Sequence, residues 1–103
     1  MKIRLSSLAA FKLELLLEYL EEKWSARIKS KFLNKLKSSL NSVTKEPNAF
    51  PKSQIRPDLR KVVITKQTTA LYKVESDSIY VITFTDTRQD PDKIEKEIKK
   101  HFG

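Results

Sequence analysis

Arginine, lysine and tyrosine crowd one half of this chain, at Arg56, Arg60, Lys61, Lys66, Tyr72, Lys73, Tyr80 and Arg88. Basic side chains interleaved with aromatics can hold phosphates by charge and stack bases on ring faces. With a basic group at a ribose 2′-hydroxyl and arginines on the scissile phosphate, such a set can cut RNA without a metal. The competing reading makes Tyr72 and Tyr80 amphipathic residues at a core edge and pairs Arg88 with Asp86 or Asp90. Other chemistries fail on residue supply. His101 is the one histidine and there is no cysteine, so no metal-ligand set exists and no cofactor is expected. The one glycine is Gly103, which leaves no phosphate-cradling loop. The serines have no general base to activate them.

The formal charge is +8 over 103 residues, and it is unevenly spread. Residues 1–24 carry four basic and four acidic side chains; residues 25–66 carry eleven basic and two acidic; residues 67–103 carry six and seven. A one-sided basic field of this kind favours an anionic partner, whether nucleic acid, a ribonucleoprotein or an acidic protein. The length fits one domain, 1–103, with one modest core and no need of disulfides. The absence of cysteine, of a signal-like segment and of any long apolar run points to a cytoplasmic protein with no membrane partner.

The elements that must position these side chains are legible in order. Ile3 and Leu5 alternate with Lys2 and Arg4, as in a short edge strand. Ser6 or Ser7 then caps a helix over Leu8–Lys23, whose apolar residues (Leu8, Phe11, Leu13, Leu15, Leu16, Leu17, Tyr19, Leu20) exceed one stripe. That excess implies contacts on two sides, or burial in a complex. After Trp24, Ser25 caps a second helix with Ile28, Phe32, Leu33, Leu36, Leu40 and Val43 on one stripe and Arg27, Lys29, Lys31, Lys35 and Lys37 off it. The short junction makes the pair an antiparallel hairpin, in which Glu14 and Glu18 can reach lysines of the second helix. Pro47, Pro51 and Pro57 keep 45–58 irregular, with Phe50 as its anchor to the core.

Three runs rich in β-branched and aromatic residues follow, 59–65, 68–75 and 78–85. Their two-residue breaks force antiparallel pairing. Alternation sets Val62 and Ile64 against Lys61 and Val63, and Ile79, Val81 and Thr83 against Tyr80, Ile82 and Phe84. Asp92 can cap a short last helix with Ile94, Ile98 and Phe102 at helical spacing. The fold class is therefore α+β: an N-terminal strand, a helical hairpin, a three-stranded antiparallel meander (β-α-α-β-β-β) and a short C-terminal helix.

From the first strand to Lys93, this order resembles the RelE/ParE superfamily of bacterial toxins of type II toxin–antitoxin systems. The local matches are the loop with Pro47, Phe50 and Pro51, the run Leu59-Arg60-Lys61-Val62-Val63-Ile64, and Leu71-Tyr72-Lys73-Val74. The most specific is Phe84-Thr85-Asp86-Thr87-Arg88-Gln89-Asp90-Pro91, an Asp-x-Arg-x-x-Pro exit from a hydrophobic strand. The resemblance implies a cognate antitoxin with an acidic contact segment, wrapped on the first helix at Leu13, Leu17, Leu20 and Trp24. It also implies that operator DNA is contacted only through that antitoxin. RelE-like members cut mRNA in the ribosome, and ParE-like members poison DNA gyrase. Thr69 and Val62 stand here where RelE-like ribonucleases carry basic residues, and no tyrosine follows Arg88. The expectation is a ParE-like toxin that binds a protein target such as gyrase through Arg56, Arg60, Tyr72, Lys73 and Arg88. The alternative is a metal-independent, ribosome-dependent mRNA endonuclease with Arg60, Lys61 and Arg88 as catalytic residues.

Overall fold

Helix α1 (Ser7–Lys23) starts where a single hydroxyl performs two tasks. The buried Ser6 Oγ accepts from the Ala9 N–H at 2.9 Å, capping the helix, and donates to the Ile82 carbonyl at 2.6 Å, tying the cap to the sheet. An N-cap of this kind stabilises a helix by about 1 kcal/mol. The computed structural model describes residues 1–103, with every peptide bond trans. Strand β1 (Lys2–Leu5) precedes the helix, and α2 (Ala26–Lys45) follows it after the Ser25 cap, whose Oγ accepts from Ile28 N–H at 3.2 Å. Then come β2 (Arg60–Val63), β3 (Thr68–Val74), β4 (Ser78–Asp86) and α3 (Pro91–Phe102).

The sheet order is β1-β4-β3-β2. Strands β2, β3 and β4 form the antiparallel meander, while β1 adds parallel to β4 from Lys2↔Ser78 to Leu5↔Val81. The parallel pairing follows from the topology, because the whole helical hairpin and the other two strands intervene as the crossover. One face of the sheet carries the hairpin. Phe32, Leu36, Leu40 and Val43 of α2 and Ala9 of α1 meet Val62, Ile64, Ala70, Tyr72, Ile79, Val81 and Phe84 there. The opposite face carries α3, whose Ile94 and Ile98 pack on Leu59, Leu71 and Ile82. Lys12 of α1 and Glu97 of α3 form an ion pair that links the two layers.

Three sequence expectations change. Phe84 lies with Ile79 and Val81 on the hairpin face, not with Tyr80 and Ile82. The register explains it: Tyr72 pairs with Val81 and Leu71 with Thr83, so Ile82 is an extra residue and the alternation changes phase. Asp90, not Asp92, caps α3: its carboxylate accepts from the Asp92 N–H at 2.9 Å, and Pro91 takes the first helical turn, where a missing N–H costs nothing. On the hairpin, Glu21 is the glutamate that reaches Lys29, at 3.2 Å, in place of Glu14 or Glu18.

Candidate functional site

The basic and aromatic side chains of the second half do not converge. Neighbours on a strand point to opposite faces, so Arg60 lies on the hairpin side and Lys61 on the α3 side. Arg60 Nη1 donates to the Phe50 carbonyl at 2.7 Å. Its cross-strand partner Tyr72 is 0% exposed and donates its hydroxyl to the Pro47 carbonyl at 2.8 Å. Burial pushes the Tyr72 phenol up, and the nearby Arg60 charge opposes that shift. Phe50 sets its ring edge-on to Tyr72, 6.5 Å between centroids. Arg60, Phe50 and Tyr72 thus form a clamp on the proline loop. Tyr72 corrects the expectation of a target-contacting residue: it is interior.

Lys61, Lys73 and Tyr80 share the other face. Lys73 is exposed and lies 3.9 Å from Glu75. Tyr80 is half-buried, with the Arg4 guanidinium 4.4 Å above its ring and Phe102 edge-on at 6.4 Å. Arg56 makes two bonds to Asp58, Nε to Oδ1 at 3.1 Å and Nη2 to Oδ2 at 3.2 Å, which holds that carboxyl below its usual range. Thr69 and Val62, the positions that depart from the ribonuclease pattern, are both buried. Val62 belongs to the hairpin-side core, where an unpaired cation would be costly.

Arg88 stands apart. Asp86 pairs with Thr68 and Arg60 with Tyr72, so four residues of β3, about 13 Å, separate Arg60 from Asp86 along the sheet, and Arg88 lies in the turn beyond. Arg88 is bound to its own turn: Nε donates to Asp86 Oδ1 at 3.1 Å, Nη2 to Oδ2 at 2.8 Å, and the backbone N–H to Oδ1 at 2.8 Å. Those bonds lower the Asp86 carboxyl to about 2. The Arg88 side chain is 78% exposed. Beside this pair an open cleft of about 250 Å³ runs between α1 and the sheet end, lined by Lys12, Leu15, Leu16, Thr68, Phe84, Thr85, Asp86 and Gln89.

The apolar surplus of α1 divides in a way its spacing did not reveal. Leu13, Leu17 and Leu20 are half-buried against the hairpin-side core. Phe11, Leu15 and Tyr19, four residues apart, are the exposed stripe. Trp24 is 67% exposed at the hairpin tip. Of the expected partner-contacting set, only Trp24 is fully presented to solvent. The surface that combines an apolar stripe, a cleft and the free edge of the Arg88 guanidinium was missed, because the stripe's other neighbours are set by tertiary packing.

No protein-family model matches the chain, nor does any curated protein. Solved structures do. The chromosomal ParDE toxin–antitoxin system of P. aeruginosa aligns at a TM-score of 0.71 and 12% identity, over 84% of this chain and 95% of that one. A YoeB/ParE toxin of Agrobacterium tumefaciens aligns at 0.62 and 14%, over 84% and 98%. YafQ of E. coli aligns at 0.60 and 12%, over 84% and 93%. The chain has the RelE/ParE toxin fold, as its order of elements implied.

Proposed function

We propose that a chain with this fold is itself the toxin of a type II toxin–antitoxin pair. In this reading it is ParE-like and arrests growth by binding a protein target such as DNA gyrase. The observation that carries this choice is the dispersal of the basic set. Cleavage of an RNA phosphodiester needs its acid, base and phosphate-stabilising groups within about 3 Å of the reacting atoms. Arg60 and Lys61 leave the sheet on opposite faces, and Arg88 lies in the turn beyond Asp86, itself four residues further along the sheet. Arg60 is also committed to the Phe50 carbonyl and Arg88 to Asp86. What the molecule does present is recognition surface of two kinds: the apolar stripe Phe11, Leu15 and Tyr19, and the exposed Arg88 turn across the adjoining cleft.

The partner this reading requires is a cognate antitoxin. Its apolar side chains would cover the Phe11–Leu15–Tyr19 stripe and Trp24. No helix of the chain is long and apolar enough to cross a membrane.

Inducing the gene alone should halt growth, and the purified protein should inhibit gyrase supercoiling. Normal supercoiling at stoichiometric excess of protein counts against the gyrase target. A second reading, an mRNA endonuclease built on Arg60, Lys61 and Arg88, draws on Lys61, Lys73 and Tyr80 sharing one face. Its mark is codon-phased cleavage seen by primer extension after induction, and intact transcripts would exclude it.

A further inference from the structure

The charge excess of the chain has a definite place. Helix α2 contains no aspartate or glutamate, and its buried stripe is Phe32, Leu36, Leu40 and Val43. At 100° per residue, Arg27, Lys31 and Lys45 fall on the side opposite that stripe, with Lys35 and Lys37 on its two flanks. All five are exposed and none takes part in an ion pair; the one lysine of α2 that does, Lys29, lies toward α1 and reaches Glu21. From Arg27 to Lys45 the charges span about 27 Å, the rise of about eight base pairs.

This arrangement opposes the helix's own stability. Cations in the first turn act against the macrodipole, and α2 has no acidic residue there to compensate Arg27. Arg27, Lys31 and Lys35 follow one another at four-residue steps, where like charges repel. The residues between them, Ser30, Asn34, Ser38 and Asn41, are small hydrogen-bonding types. Lysine, arginine, serine and asparagine are the side chains that bond phosphate and sugar oxygens. The one aromatic side chain of α2, Phe32, is buried, so this 20-residue helix offers no ring of its own to a stacked base.

We propose that the outer face of α2 docks the phosphate backbone of a double-stranded nucleic acid, without reading its sequence. The ligand class is set by three features together: an uncompensated cationic row, phosphate-bonding polar residues between the cations, and no stacking platform. RNA and DNA duplexes share this chemistry. The face is separate from the α1 stripe, and direct binding stands whether or not the protein is a gyrase-directed toxin.

The test is fluorescence anisotropy of the purified chain with labelled 16-base-pair DNA and RNA duplexes of unrelated sequences, across a salt series. The wild type should bind at micromolar concentration in low salt, with little sequence preference and a steep salt dependence. The triple variant R27Q/K31Q/K35Q should weaken binding at least tenfold and flatten the log–log salt slope by about 2 to 3, near 0.9 for each phosphate no longer neutralised. A tighter complex with one duplex names the source. The control K96Q/K99Q/K100Q removes equal charge from α3 and should leave most of the affinity and slope in place. Circular dichroism checks that both variants keep the helical content of the wild type. Equal losses from the two variants would reduce the effect to net charge and overturn the proposal. So would an unchanged slope in the α2 variant, or oligoglutamate of matched charge binding as tightly as either duplex.

Discussion

Asp86 and Arg88 are two residues apart and joined by two side-chain bonds and one backbone bond on the same carboxylate, with the other edge of the guanidinium left free. The carboxyl therefore titrates near 2, well below the ordinary value near 3.9. Because the folded value is the depressed one, the stability this pair contributes is present above about pH 4 and lost as pH falls through about 2. Arg88→Ala should return the Asp86 carboxyl toward the ordinary value, as read by the carboxyl carbon shift during an NMR pH titration. An unchanged midpoint would mean that the backbone N–H alone holds the charge.

Tyr72 gives a sharper contrast between a contact residue and an interior one. Its hydroxyl is the partner of a loop carbonyl, so Tyr72→Phe leaves the Pro47 oxygen without its donor. That loss should cost about 1–3 kcal/mol in urea denaturation. A surface residue used only for target binding would show no such change.

At the scale of elements, the strands, the hairpin and the last helix were legible because each carries its own periodicity and turn chemistry. The bulge in β4 was not. Nothing local marks Ile82 as an extra residue, and only the register against Leu71 and Tyr72 places Phe84 beneath the hairpin. The role of Arg60 was hidden for a related reason: the Phe50 carbonyl it binds lies ten residues back, in a loop whose path no pattern sets. The cap of α3 was legible in kind but not in position, since Asp90-Pro91-Asp92 offers two carboxylates and Pro91 decides between them. Helix α3 itself holds to the sheet mainly through Ile94 and Ile98. Ile98→Ala removes a side chain only 1% exposed and should cost about 2–4 kcal/mol. Hydrogen exchange should show the loss first around α3 and Leu71, with the core under the hairpin still protected.

Across the whole molecule, two faces are distinct: the apolar stripe of α1, with the cleft and the Arg88 turn beside it, and the cationic outer face of α2. Composition alone announced the charge and the apolar surplus but could not say that they lie on separate faces. Growth arrest and neutralisation are separable by mutation on the reading that the antitoxin covers the α1 stripe and the target is met at the Arg88 turn. Leu15 is the discriminating position. It is exposed at the centre of the stripe and lines the cleft, while Leu13 and Leu17 beside it are packed inward. Leu15→Glu leaves no buried charge in the free protein, so its stability should stay within about 0.5 kcal/mol of wild type. In the complex the same carboxylate would be stripped of water against apolar partner atoms, a cost of several kcal/mol. Cells expressing this variant should stop growing, and co-expressed antitoxin should fail to rescue them. Plating efficiency with and without the antitoxin measures both. Rescue equal to wild type would move the antitoxin off the α1 stripe. Loss of arrest with a normal fold would place the target, and not the antitoxin, on Phe11, Leu15 and Tyr19.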